Sequence, residues 1–71
     1  NPAESFVTIE MNPYKKGSVE VYSVVGEKIN EMALTRQRQR MDLTGNRPGV
    51  YLFRINTRES PTPIVKRIVV R

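Results

Sequence analysis

Apolar side chains alternate with polar ones along this chain, and turn residues interrupt the alternation about every eight positions. Val7, Ile9 and Met11, for example, are separated by Thr8 and Glu10. An alternation of this kind is typical of a β-strand with one buried face. We predict strands over residues 6–11, 19–24, 27–34, 36–43, 50–56 and 64–70, and therefore an all-β sandwich or a small barrel.

Proline and glycine mark the turns between these strands. The strongest turn signal is the segment 44–49, where Pro48 suits the first central position of a type II turn and Gly49 the second, which requires a positive φ. Gly26 gives the permissive backbone of a tight connection. The residues Ser-Pro-Thr-Pro at 60–63 are expected to break the chain before the last strand.

One segment also admits a helix. Residues 27–41 contain good helix formers, yet Ile29, Met32 and Ala33 form only a short apolar stripe. We predict a weak strand for residues 27–34 and leave the helix open as the alternative.

Length and composition narrow the class of protein. With 71 residues there is room for one domain with a thin core. The sequence has no Cys and no His, which removes thiol nucleophiles, disulfides and the usual base for proton transfer near neutral pH. It has no glycine-rich phosphate loop and no metal-ligand motif, so we expect neither an enzyme nor a cofactor. The chain begins with Asn and shows no signal-peptide pattern, so we expect a fragment or processed product, and any secretion signal would have lain upstream.

Charge is unevenly distributed along the chain, whose net value is +5. Residues 36–71 carry nine basic and two acidic groups, whereas residues 1–35 carry three and five. Arg36, Arg38 and Arg40 alternate with glutamines, and on a strand they would lie on one face about 7 Å apart. The functional interpretation of this pattern is an anionic partner, such as a phosphate, an acidic polysaccharide or a lipid headgroup.

The plainer interpretation of the same run, which we prefer from the sequence, is a solvated edge strand whose charges prevent unwanted pairing. No aromatic residue interleaves the arginines, so we expect no nucleic acid partner. The aromatic residues are best explained by packing, with Tyr51 and Phe53 together on the core face of one strand. Phe6, Tyr14 and Tyr22 are expected in the core or at its rim.

A series of motifs runs through the whole chain. They are Asn1-Pro2-Ala3, Val21-Tyr22-Ser23-Val24-Val25-Gly26, Asp42-Leu43-Thr44-Gly45, Pro48-Gly49-Val50-Tyr51 and Lys66-Arg67-Ile68-Val69-Val70-Arg71. In this order and spacing they resemble the C-terminal sorting domain of proteins exported by the type IX secretion system of Bacteroidetes, in its type A form. Two details depart from that pattern: Ser23 replaces an Asp, and the residue between Pro48 and Gly49 is missing.

The resemblance implies a fold and a function for residues 1–71 as one domain. The fold would be an immunoglobulin-like antiparallel β-sandwich of about seven short strands with Greek-key connections. The domain would be a non-catalytic export signal that an outer-membrane translocon recognises in the periplasm, so that the attached cargo reaches the cell surface or the medium. In many members of the family a sortase-like peptidase then removes the domain and joins the cargo to an anionic lipopolysaccharide, whereas other members keep the domain for docking.

The matched motifs supply recognition candidates, each of which has a role in the fold as its alternative. They are Asn1, Pro2, Gly26, Pro48, Gly49, Tyr51, Lys66, Arg67, Ile68, Val69 and Val70. The last strand could pair with a receptor strand by main-chain hydrogen bonds, and the same edge would allow a homodimer. Two other functions remain open: an accessory module that binds an anionic glycan or lipopolysaccharide through Arg36, Arg38 and Arg40, and a structural spacer.

Overall fold

The computed structural model describes residues 5–70, and this part of the chain contains six β-strands and no helix, hence none that could span a membrane. The strands are β1 (Phe6–Glu10), β2 (Gly17–Ser23), β3 (Lys28–Leu34), β4 (Arg38–Asp42), β5 (Gly49–Thr57) and β6 (Ser60–Val70). The all-β prediction is confirmed, with six strands rather than about seven. The helical alternative for residues 27–41 is wrong, because β3 and part of β4 lie there.

Two sheets form the sandwich. The larger contains four strands in the order β3-β2-β5-β6, and the smaller pairs β1 with β4. All of these pairings are antiparallel. The chain changes sheet between β1 and β2, between β3 and β4, and between β4 and β5, as in the Greek-key connections of immunoglobulin-like sandwiches. The predicted fold class is thus confirmed.

The core lies between the two sheets and is formed by alternate side chains of their strands. Its buried residues are Ile9, Val19, Val21, Leu34, Met41, Leu43, Tyr51, Phe53 and Val70. Val19 and Val21 lie in β2, one of the two inner strands of the large sheet, and the cross-strand partner of Val21 is Phe53. The core positions predicted for Tyr51 and Phe53 are confirmed. Because successive side chains of a strand point to opposite faces, the residues between these positions face solvent.

Strand β6 is longer than the alternation of side chains indicates. It starts at Ser60, which pairs with Thr57 across a two-residue turn, so the predicted break at 60–63 is wrong. Two prolines, Pro61 and Pro63, are tolerated there because β6 is an edge strand and because the pairing register shifts between Ile55 and Thr57.

The loop between β4 and β5 turns earlier than predicted. Asn46 donates its backbone N–H to the carbonyl of Leu43 at 3.1 Å, and Gly45 between them has a φ of 93°. Gly49 has the predicted positive φ, 149°, but it is already the first residue of β5 and pairs with Val70. Gly45, rather than Gly49, therefore supplies the left-handed backbone of the hydrogen-bonded turn.

Gly17 has a role that the alternation of side chains does not reveal. It is the first residue of β2 and pairs with Leu34 on one side and Thr57 on the other. A Cβ at this position would overlap the carbonyl oxygen of Asn56. Only a residue without a side chain lets the two backbones approach this closely.

Candidate functional site

Three of the sequence motifs meet at one end of the large sheet. In the hairpin formed by β5 and β6, here called the C-terminal hairpin, Gly49 pairs with Val70 and Tyr51 with Ile68. On its other side Tyr51 pairs with Ser23, which begins the turn that contains Gly26. Ser23 and Ile68, which are more than forty positions apart in the sequence, thus lie on either side of Tyr51 in one sheet.

Two of the recognition candidates face the core. Tyr51 is 7% exposed and Val70 is 5% exposed. The hydroxyl of Tyr51 donates a hydrogen bond to the carbonyl of Arg47, four residues upstream. This contact resembles the tyrosine corner of immunoglobulin-like sandwiches, in which a Tyr near the start of a strand bonds back to the preceding loop. Both side chains therefore stabilise the fold.

The alternate residues of β6 face outward. Val65, Arg67 and Val69, here called the outer strip, lie on the solvent face, and the two valines are more than half exposed. Strand β6 is also the last strand of its sheet, and within residues 5–70 no strand pairs with its outer edge. In the described part of the chain, the outer edge of the C-terminal hairpin thus combines main-chain groups that no strand covers with exposed β-branched side chains.

A groove of about 180 Å³ lies between β1 and the C-terminal hairpin. Val7 and Ile9 line it from β1, and Ile55, Lys66 and Ile68 line it from the hairpin. It lies at this side of the sandwich because β1 pairs with β4 and not with β6. The inner face of β6 is therefore partly accessible along the same edge.

The turn after β2 is held by the residue that departs from the family pattern. The Ser23 hydroxyl accepts a hydrogen bond from the backbone N–H of Glu27 at 3.2 Å, and the Ser23 carbonyl accepts one from Gly26 at 3.0 Å. Gly26 has a φ of 89° and lies in open, exposed space. Ser23 thus supports the turn as an Asp could, by a side-chain oxygen that accepts from the backbone.

The arginines that the sequence suggests as anion contacts lie at the small sheet. Arg38 and Arg40 point outward from β4, and Arg36 lies in the turn before that strand. Together with Thr8 and Gln39 they line an open concavity of about 570 Å³. Within residues 5–70 the ion pairs join Lys28 to two glutamates, and none involves these arginines.

The Gln39 side chain fixes the turn that carries Arg36. Its Oε1 accepts hydrogen bonds from the backbone N–H groups of Thr35, at 2.7 Å, and of Arg36, at 3.2 Å. Its Nε2 donates to the carbonyl of Ala33 at 3.0 Å. Three hydrogen bonds from one side chain therefore set the backbone between β3 and β4.

Two further contacts order the outer face of the small sheet. The Arg40 guanidinium carbon lies 4.0 Å from the centre of the Phe6 ring, within the range of a cation–π interaction. Asp42 Oδ1 accepts a hydrogen bond from the backbone N–H of Thr44 at 2.8 Å. The hydrogen bonds from Thr44 hold the pKa of the Asp42 carboxyl below its ordinary value.

The whole chain, residues 1–71, matches the family described as secretion system C-terminal sorting domain. The chain belongs to this family. The resemblance inferred from the motifs is thereby confirmed, and the domain is an export signal of the type IX secretion system. No curated protein and no solved structure matches the chain.

The sorting domain therefore carries two separate candidate surfaces. The C-terminal hairpin holds Gly49, Tyr51, Lys66, Arg67, Ile68, Val69 and Val70, with Pro48 directly before it and Gly26 in the turn after β2. Arg38 and Arg40 lie on the small sheet, and Arg36 lies in the turn before it. The candidates Asn1 and Pro2 lie outside the described residues. Sequence reasoning missed Phe6 and Gln39 as parts of the arginine surface, because only the strand register brings Phe6 near Arg40.

Proposed function

We propose that this sorting domain directs an attached cargo protein across the outer membrane by presenting strand β6 to the type IX translocon. Recognition takes place in the periplasm, and the cargo then reaches the cell surface or the medium. The observation that supports this proposal most directly is the outer edge of β6, which no strand within residues 5–70 covers and which carries the outer strip. The domain acts as a folded address, and the chemistry of export belongs to its partners.

The proposed mode of recognition is the addition of a receptor strand to the edge of the large sheet. Main-chain hydrogen bonds give such pairing its affinity, and pockets for alternate side chains give it specificity. Val65 and Val69 offer those side chains on the outer face, and Ile68 offers one on the groove side. The two prolines restrict pairing to the later part of the strand, from Ile64 onward, because proline donates no hydrogen bond.

Later steps are assigned to other proteins. A sortase-like peptidase would remove the domain and transfer the cargo to an anionic lipopolysaccharide, or the domain would stay in place and dock the cargo at the surface. A homodimer through β6 would occupy the same edge, so dimerisation and recognition should compete. We therefore expect the monomer to be the form that is competent for export. Purified domain should be mainly monomeric at micromolar concentration.

An export assay tests the proposal. Residues 1–71 and a natural upstream linker are fused to the C-terminus of a periplasmic fluorescent reporter, in a bacterium with an intact type IX system and in one without the translocon. We expect reporter on the surface or in the medium only with the translocon. Export that is equal in both strains, or absent from both, would contradict the proposal and favour a spacer.

The same assay shows whether the end of β6 is needed. Deletion of residues 68–71 should abolish export while the reporter stays folded and fluorescent in the periplasm. Because this deletion removes Val70 from the core, thermal unfolding of the truncated domain must be measured alongside it. A truncated domain that is still exported would overturn the role of β6.

A further inference from the structure

We propose that the outer face of the small sheet is a binding site for an acidic polysaccharide, separate from the C-terminal hairpin. The site is the concavity of about 570 Å³ lined by Thr8, Arg36, Arg38, Gln39 and Arg40. Within residues 5–70 its lining contains three guanidinium groups and no carboxylate, while Glu10, the cross-strand partner of Arg38, and Asp42 lie beside it on the same face of the sheet. This function is independent of export, because the arginines lie on β4 and its preceding turn, whereas export is assigned to β6.

The arginines form a row rather than a closed pocket. Arg38 and Arg40 are alternate residues of one strand, which places their Cα atoms about 7 Å apart on the same face. Arg36 continues the row beyond the start of β4. A row of fork-shaped donors suits a linear ligand that repeats its negative groups, since each guanidinium can bind a carboxylate, sulfate or phosphate with two parallel hydrogen bonds.

Two contacts hold this row in place before any ligand binds. The Phe6 ring lies 4.0 Å from the Arg40 guanidinium and restricts its rotation. The three hydrogen bonds of Gln39 fix the turn that carries Arg36. Side chains that are ordered in advance lose less conformational entropy on binding, which favours a binding site over a merely solvated edge. A strand that is charged only to prevent pairing requires neither contact.

The surroundings of the row favour a polysaccharide over the other anionic polymers. Nucleic acid would need an aromatic face for base stacking, but Arg40 already covers one face of Phe6, the aromatic residue beside the row. A lipid surface would need several exposed apolar side chains to insert, but the small sheet offers Phe6, whose ring is in contact with Arg40, and the exposed Val65 and Val69 lie on the other sheet. The hydroxyl of Thr8 adds a polar group that can bind a sugar hydroxyl.

Binding of polygalacturonate and dextran sulfate to the 71-residue chain tests the proposal, with neutral dextran as the control ligand. The variant R36Q/R38Q/R40Q removes the row, and the matched variant R54Q/R58Q/R67Q removes the same charge from the C-terminal hairpin. We expect the first variant to bind at least about tenfold more weakly and with little salt dependence, and the second to change affinity by less than about threefold. Arg36, Arg38 and Arg40 are all exposed, so far-ultraviolet circular dichroism of R36Q/R38Q/R40Q should show an unchanged fold.

The preorganisation of the row is tested by two variants that leave the net charge of the domain unchanged. F6L removes the ring beneath Arg40 and should weaken binding about two- to fivefold with the salt dependence unchanged. Q39A should weaken binding in the same way by loosening the turn before β4. Equal binding by both triple variants would mean that net charge alone is responsible and would overturn the site. No binding of either polysaccharide, or tighter binding of anionic phospholipid vesicles or single-stranded DNA, would overturn it as well.

Discussion

Val69 and Val70 are neighbours in β6 that differ in the face they occupy. Val70 is 5% exposed in the core, whereas Val69 is 53% exposed on the outer strip. Because both are the same residue type in one strand, the same substitution at each position isolates the effect of burial. We expect Val70→Ala to destabilise the domain and Val69→Ala to leave its stability nearly unchanged.

The magnitude follows from the groups removed. Alanine at Val70 takes two methyl groups out of the core, and at about 0.8 kcal/mol for each the free energy of unfolding falls by about 1.6 kcal/mol. At the exposed Val69 the change should stay within about 0.5 kcal/mol. For a domain of this size each kcal/mol shifts Tm by about 4–8 °C, so we expect about 6–13 °C for V70A and at most about 4 °C for V69A.

Thermal unfolding followed by far-ultraviolet circular dichroism measures both variants under the same conditions. Urea unfolding at 25 °C provides the control, because an unchanged m-value shows that only stability has changed. A slip of one residue in the pairing of β6 with β5 would exchange the faces of the two valines. Equal shifts for the two variants, or a larger shift for V69A, would therefore refute the register and the burial assigned to β6.

Three further substitutions test other contacts. Gly17→Ala places a Cβ against the carbonyl of Asn56, so we expect a loss of about 1–3 kcal/mol and faster amide exchange at the start of β2; unchanged exchange would contradict the close approach. Tyr51→Phe removes one hydrogen bond and should cost about 0.5–1.5 kcal/mol in urea unfolding, whereas no change would mean that the contact is not formed in solution. Hydrogen bonds from Thr44 hold the pKa of Asp42 below its ordinary 3.8, so this carboxylate contributes stability above that pH and loses it as the pH falls further. Asp42→Asn should therefore lose less stability than the wild type between about pH 4 and pH 2, and parallel pH curves would refute this assignment.

The alternation of side chains predicts most of the fold because the strands have one buried and one exposed face. Val19, Val21 and Phe53 are core residues in the structure as the pattern indicates. The start of β6 could not be found in this way, since Pro61 and Pro63 signal a break. They are tolerated only because β6 lies at the edge of its sheet, and strand order is a property of the tertiary fold.

Three of the matched motifs meet at one end of the large sheet, but they do not separate fold from recognition. Tyr51 and Val70 belong to matched motifs, yet both are buried, so their direct effect is on stability. The arginine row is visible in the sequence as an alternation with glutamine. Its contact with Phe6 is not visible, because it depends on the pairing of β1 with β4 across more than thirty residues.

The central claim, recognition through the exposed side of β6, is tested most directly by exporting a matched pair of variants as reporter fusions. V65K/V69K places two charges on the outer strip, and V24K/V25K adds the same charge in the exposed turn after β2. All four valines are more than half exposed, so both variants should remain folded. We expect V65K/V69K to lose at least about nine-tenths of surface reporter and V24K/V25K to keep most of it, since charges on an edge strand oppose pairing. Equal export of the two variants would contradict the claim.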